Sequence, residues 1–182
     1  EEARRWGMRV IGPESLGMIN TSPQVSMTAT YAPVEVREGA VGLLTQSGTL
    51  GVAALEVARR KGVGISTFLD VGRKVDVSGN DVLQFWEEDE ATSVAALYLE
   101  SFGNPAKFVR IARRMGRTMP IVAVKAGNLR PASSTAWDRT PASRTGTVPA
   151  VGPGAPRSLD VSADLTWGAL LAQAGVIRVD SL

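Results

Sequence analysis

The chain has 182 residues, enough for one complete domain and part of a second, and its 44% apolar and 21% charged residues are typical of a globular protein. It has no cysteine and no histidine, which excludes disulfides, thiolate metal sites and any chemistry that needs an imidazole. With a net charge of +2 and no apolar run of about 18 residues, we expect a cytoplasmic protein that binds neither nucleic acid nor membranes.

The first segment, residues 1–31, does not fit the pattern of the rest. It contains a strand end that runs into a turn at Gly12-Pro13-Glu14-Ser15. We expect it to be the closing piece of another domain, with a second domain spanning residues 32–182.

Five short apolar runs, rich in β-branched residues, predict strands that are buried on both faces of a parallel sheet. They are Val41–Thr45, Ile65–Val71, Val94–Leu99, Ile121–Lys125 and Val176–Val179. Helical apolar spacing separates them: Leu50 to Ala58, Val82 to Trp86, Phe108 to Met115 and Trp167 to Ala174. The alternation predicts an α/β fold, a flavodoxin-like doubly wound five-stranded parallel sheet of order 2-1-3-4-5.

A long segment, residues 127–160, interrupts this alternation. It is rich in Pro, Ala, Ser, Thr and Arg and has no apolar period. Loops longer than about 12–15 residues inside a compact domain are usually functional or disordered. We expect weak order here.

The motif Thr45-Gln46-Ser47-Gly48-Thr49-Leu50-Gly51 follows the first strand of the alternation and opens a helix. Free N–H groups and the dipole at a helix N-terminus favour an anion, so Ser47, Gly48 and Thr49 are candidate phosphate ligands. A serine N-cap in a tight turn explains the same residues. It is neither a Walker loop nor a nucleophile elbow.

Two acidic positions have competing interpretations. Glu100 ends the strand Val94–Leu99, where α/β sheets place their sites, but a carboxylate there can also cap a loop or pair with an arginine. The spacing of Asp76, Ser78, Asn80 and Asp81 resembles the start of a calcium loop, although turn and helix-capping roles fit it better.

Taken together, six segments resemble the NDP-forming acyl-CoA synthetases, the ADP-forming acetate–CoA ligase group related to the succinyl-CoA synthetase α subunit. They are Gly7–Thr21, Val41–Gly51, Ser66–Trp86, Leu97–Arg114, Pro120–Gly127 and Gln173–Leu182. The resemblance implies the end of a CoA-binding Rossmann domain over residues 1–31, followed by a succinyl-CoA-ligase-like flavodoxin domain.

In that family an acyl phosphate passes its phosphoryl group to a histidine on a mobile loop, which delivers it to ADP or GDP on an ATP-grasp domain. The resemblance implies that Ser47, Gly48 and Thr49 cradle the phosphate, that Glu100 orients the histidine, and that Pro13 and Ser15 lie near the CoA thiol. CoA and ATP or ADP with Mg²⁺ are implied for the parent protein, with no cofactor held by this chain alone.

The chain departs from the family at the position of the phosphate acceptor. Residues 142–147 (ASRTGT) align with the family's Ser-His-Thr-Gly-Ala loop, so Arg144 stands where the histidine is expected. A guanidinium stays protonated and accepts no phosphoryl group. Glu14 also replaces the usual asparagine, and its carboxylate disfavours a nearby anion.

Three functions follow as hypotheses. The first is a non-catalytic ligand-binding or regulatory domain, inert alone, of the kind fused to an acetyltransferase module in bacterial protein lysine acetyltransferases. The second is part of an active ADP-forming acyl–CoA ligase whose phosphate acceptor lies elsewhere or on another chain. The third is an interaction module with a vestigial phosphate site.

Overall fold

The computed structural model describes residues 2–125 and 168–179, in which one mixed sheet of seven strands is flanked by helices. The strands are β1 (Gly17–Asn20), β2 (Met27–Thr30), β3 (Glu38–Thr45), β4 (Ile65–Asp70), β5 (Val94–Leu99), β6 (Ile121–Lys125) and β7 (Ile177–Arg178). Their order across the sheet is β2-β1-β4-β3-β5-β6-β7.

Five of these strands are the predicted parallel sheet. β3 pairs in parallel with β4 and β5, β5 with β6, and β6 with β7, which is the order 2-1-3-4-5. β5 and β6 have the predicted bounds, and β4 is buried along its whole length. The flavodoxin-like α/β fold is confirmed, and it places the carboxyl ends of β3, β4 and β5 side by side.

The remaining two strands come from the N-terminal segment. β1 pairs antiparallel with β4, matching Ile19 with Phe68, and β2 pairs antiparallel with β1. The sheet therefore has two strands more than the five predicted from the apolar runs, because each of these strands has only four residues and carries no continuous apolar run. They cover the backbone edge that β4 would otherwise expose. The assignment of residues 1–31 to a preceding domain stays a prediction.

Helices cover both faces of the sheet, as in a doubly wound fold. They are α1 (Glu2–Arg5), α2 (Gly48–Lys61), α3 (Gly79–Glu88) and α4 (Pro105–Met115), and residues 168–173 are also helical. α2 buries Leu55 against Phe68 on one face, whereas α3, α4 and residues 168–173 pack around Trp86 on the other. None of the described helices is long and apolar enough to cross a membrane.

Most members of the predicted apolar stripes that the structure describes face the core, but Ala53 of α2 and Phe85 of α3 are exposed. Phe108, Ile111 and Met115 of α4 are buried, as are Val82 and Trp86 of α3. Phe85 of the α3 stripe is instead 50% exposed. It borders a surface pocket beside Met18 of β1.

Asp76 ties the N-terminal segment to the loop that leads into α3. Its carboxylate accepts hydrogen bonds from Arg9 Nε at 2.8 Å, Val10 N at 3.0 Å and Arg4 Nη2 at 3.2 Å. The hydrogen bond from Arg9, followed by that from Val10, lowers the pKa of Asp76 from 3.8 to about 2. Ser78 and Asp81 close the turn, since Asp81 Oδ2 accepts from Ser78 N at 2.9 Å. These residues therefore serve turn and capping roles.

Asp76→Asn should lower the midpoint of thermal unfolding at pH 7. The folded-state pKa is depressed, so the carboxylate stabilises the fold fully above the unfolded value of 3.8 and loses this effect as the pH falls through about 2. The difference between wild type and variant should therefore shrink as thermal scans move from pH 7 to pH 3. An equal difference at both pH values would contradict this assignment.

Candidate functional site

The carboxyl ends of β3, β4 and β5 enclose a cleft of about 480 Å³. From β3 the chain continues to β4 on one side of that strand and then to β5 on its other side, so the cleft lies at the topological switch point of the sheet. Sheets of α/β proteins bind ligands in such crevices. Its lining residues come from three loops and the N-terminal turn: Glu14, Gln46, Gly72, Arg73, Lys74, Glu100 and Ser101.

Gln46, directly after β3, joins that strand to the loop after β5. Its side chain is buried, with 8% of the residue exposed. Oε1 accepts from Glu100 N at 3.0 Å and Ser101 N at 2.9 Å, and Nε2 donates to Ser101 O at 2.9 Å. A single side-chain amide therefore forms hydrogen bonds with three backbone groups of the neighbouring loop and fixes the position of the Glu100 backbone.

The predicted phosphate ligands open α2 beside this cleft. Ser47 is the N-cap residue in extended conformation, and its side chain makes no capping hydrogen bond. Ser47 and Gly48 are half-buried and Thr49 is exposed in the first turn. Ser47 therefore occupies the N-cap position predicted by the capping interpretation, but its hydroxyl forms no capping hydrogen bond with the helix. Phosphate binding by Ser47, Gly48 and Thr49 stays a prediction.

A buried carboxylate lies next to the N-terminus of α2. Asp70, at the end of β4, is fully buried and accepts from Leu16 N at 2.6 Å and Gly72 N at 3.2 Å. A Cβ on Gly48 would lie 3.5 Å from Asp70 Oδ2. Negative charge is favourable at a helix N-terminus, so Asp70 interacts with the same dipole that an external anion would use. Asp70 was not predicted as a site residue, although an acid near the end of an apolar run is a signal that the sequence carries.

The N-terminal turn packs directly against the loop after β4. Pro13 O accepts from Arg73 N at 3.0 Å, and Ser15 Oγ donates to the backbone O of Asp70. Gly72 has φ +51°, and a Cβ there would lie 2.2 Å from Pro13 O, so this contact requires glycine. Pro13 and Ser15 thus reach the edge of the cleft. Their role near CoA stays a prediction.

Two cations and two acids give the cleft its charge. Glu14, with φ 58°, pairs with Arg73 across 3.4 Å, and both side chains are well exposed. Lys74 Nζ donates to Gln46 Oε1 and Ser101 O, each at 3.2 Å, and to Ser101 Oγ. Burial lowers the pKa of Lys74, and the nearby Glu100 carboxylate opposes that shift. Glu100 itself is exposed.

The structure thus gathers most of the predicted site residues at one edge of the sheet. Segments carrying Ser47, Glu100 and Ser15 meet there through Gln46 and Asp70. Arg144 and the loop at residues 127–160 lie outside the described residues. Gln46, Lys74 and Ser101 were not predicted, because their roles depend on which loops the sheet order brings together.

The part of the chain that the structure describes contains no cluster of metal-binding side chains. Within residues 2–125 and 168–179, no group of three or more acidic side chains could hold a metal ion. Asp76 and Asp81, considered above as calcium ligands, are engaged by arginine, lysine and serine. The Mg²⁺ implied for the parent protein stays a prediction.

Comparison with known proteins places these features in context. The family model described as "Succinyl-CoA ligase like flavodoxin domain" matches residues 38–151. An ADP-forming acetate–CoA ligase of Archaeoglobus fulgidus is 36% identical over 140 residues, which are 77% of this chain and 20% of that protein. The α subunit of acetate–CoA ligase (ADP-forming) I from Pyrococcus furiosus is 30% identical over 178 residues, 98% of this chain and 34% of that subunit.

Solved structures show the same family similarity. The dinucleotide-forming acetyl-coenzyme A synthetase 1 of Ca. Korarchaeum cryptofilum, in complex with phosphate and ADP, superposes with a TM-score of 0.75 at 30% identity. The match covers 99% of this chain and 35% of that one. The chain thus spans only about a fifth to a third of the length of the relatives described here.

Gln46→Ala should lower the free energy of unfolding by about 1–3 kcal/mol, because the amides of Glu100 and Ser101 lose their acceptor. Urea denaturation followed by circular dichroism measures the change. Gln24→Ala is the matched control, since the Gln24 side chain is exposed and bonds only to Ser22 Oγ in the described structure. A Gln46 variant as stable as that control would show that the amide does not hold the cleft together.

Proposed function

The chain belongs to the ADP-forming acyl-CoA synthetase family as a succinyl-CoA-ligase-like flavodoxin domain, and we propose that it binds anionic ligands without carrying phosphate itself. The 182 residues contain no histidine, the residue on which the resemblance places the phosphoryl group. That single observation carries the proposal. The cleft at the carboxyl ends of β3, β4 and β5 is present, but the chain has no imidazole to receive a phosphoryl group.

The groups around the cleft support binding rather than transfer. Arg73 and Lys74 supply positive charge, and the first turn of α2 supplies N–H groups beside Ser47. Arg144, aligned with the missing histidine, can attract a phosphate electrostatically but cannot accept its phosphorus. The Glu100 carboxylate lines the cleft, but this chain supplies no histidine for it to orient.

The parent protein enters the proposal through the relatives. Several of them are named as CoA ligases that form ADP, and one solved relative contains phosphate and ADP. We therefore propose that CoA, phosphate and a nucleotide with Mg²⁺ are ligands of the parent protein. We also propose that a CoA-binding Rossmann domain and an ATP-grasp domain are the partners of this domain. A cytoplasmic location stays a prediction from composition.

An active ligase is the second candidate, and the extent of the similarity favours it. The chain aligns over nearly its whole length with a subunit of an acetate–CoA ligase. In that case the phosphate acceptor is supplied by another chain or another part of the protein. The domain could also be fused to a lysine acetyltransferase module in the parent protein. The sequence that flanks this domain would show whether such a module is present.

The intact parent protein, incubated with γ-³²P-labelled ATP, Mg²⁺, CoA and acetate, should acquire no acid-labile label within these 182 residues. Without an imidazole there is no acceptor that forms a phosphohistidine. The matched control is the Archaeoglobus fulgidus ligase, which shares 36% identity and, under the family mechanism, should become labelled. Label mapped to a peptide of this domain would overturn the proposal, and label elsewhere with CoA-dependent ATP consumption would favour the active ligase.

A further inference from the structure

Lys74 lies in the cleft as a half-buried cation whose described hydrogen-bond partners are all uncharged, although the Glu100 carboxylate is near enough to act on it electrostatically. Its ammonium group bonds to the Gln46 side-chain oxygen and to the backbone and hydroxyl oxygens of Ser101. Among the ion pairs of the described residues, none joins Lys74 to a carboxylate. Partial burial of a cation costs free energy, and an anion in direct contact would offset that cost.

We propose that Lys74, with Ser101 and Arg73, forms an oxyanion-binding site that takes the carboxylate or phosphoryl group of a small ligand. This inference rests on the proposed function, because it names the residues that recognise the ligand's charge. It is separate from the predicted phosphate ligands at the start of α2.

The ammonium has a donor that a ligand can use. Gln46 Oε1 receives three donors, namely Glu100 N, Ser101 N and Lys74 Nζ, although a carbonyl oxygen has two lone pairs. The bond from Lys74 is the longest of the three, at 3.2 Å against 3.0 and 2.9 Å. Turning that N–H toward an anion in the cleft therefore costs little.

Two neighbours converge on the same space. The Ser101 hydroxyl accepts from Lys74, which leaves its own O–H free to donate to a ligand. The Arg73 guanidinium lines the cleft and engages Glu14 through only one of its nitrogens, Nη1, at 3.4 Å. Arg73 and Lys74 balance Glu14 and Glu100 in the lining of the cleft, so a small monoanion should bind at lower cost than a more highly charged anion.

The backbone supports a functional role for this position. Lys74 has φ +57°, a left-handed conformation that is uncommon for residues other than glycine, asparagine and aspartate. Such conformations carry strain and cluster at ligand-binding sites. The Lys74 side chain reaches the loop after β5 and bonds to Ser101 there, which helps to hold the backbone in this conformation. A cleft of about 480 Å³ is large enough for a small organic acid or phosphate.

Titrations of the ¹⁵N-labelled chain with sodium acetate and, separately, sodium phosphate at constant ionic strength test the site by NMR. We expect saturable shifts of the Gly72, Lys74 and Ser101 amides in at least one titration, and the two arms identify whether carboxylate or phosphate is preferred. Lys74→Gln should weaken binding about 10-fold or more, because a charge-assisted hydrogen bond is lost. Lys74→Arg should retain most of the affinity.

Lys61→Gln is the matched control, since it removes one positive charge from the exposed end of α2 and should leave binding unchanged. Should Lys74→Gln fail to fold, Ser101→Ala takes its place, with a smaller loss expected. Binding that survives both Lys74→Gln and Ser101→Ala would overturn this site while leaving ligand binding by the domain intact. No saturable shift with either anion would overturn both the site and the binding part of the proposed function.

Discussion

The cleft depends on one buried side-chain amide. Gln46 follows β3, and its three hydrogen bonds to Glu100 and Ser101 hold the loop after β5 against the loop after β3. These strands are neighbours only because the chain order reverses between them, which is what opens a crevice at this edge of the sheet. Without the amide, two backbone N–H groups at the cleft would have no acceptor. The position of Lys74 depends on the same contact, since its ammonium bonds to Gln46 and Ser101.

A second constraint is the charge already present beneath the site. Asp70 is fully buried beside the first turn of α2, where backbone amides of Leu16 and Gly72 stabilise its carboxylate. It therefore uses part of the favourable potential at the helix N-terminus. An incoming anion must share that potential, which makes Lys74 and Arg73 more important for recognition than they would be beside an uncharged residue. In the proposed function, it is the absence of histidine that favours reversible binding over phosphoryl transfer.

Much of the fold could be predicted from the sequence, whereas the site could be predicted only in part. Continuous apolar runs such as Val94–Leu99 identify buried parallel strands with accurate bounds, because burial on both faces demands them. β1 and β2 carry no such pattern, since they are stabilised by backbone pairing at the margin of the sheet. Motif and strand-end position were enough to select Ser47 and Glu100. Lys74 and Gln46 acquire their roles only when three distant loops meet, and no local spacing indicates that.

Hydrogen exchange of the Glu100 and Ser101 amides tests most directly whether Gln46 holds the cleft in place. Both residues are exposed, yet their N–H groups bond to a buried oxygen. The two amides should therefore exchange slowly under native conditions, at rates close to those of Tyr98 and Leu99 in β5, and Gln46→Ala should abolish that protection. Exchange as fast as that of the following loop residue Gly103 in the wild-type chain would contradict the account.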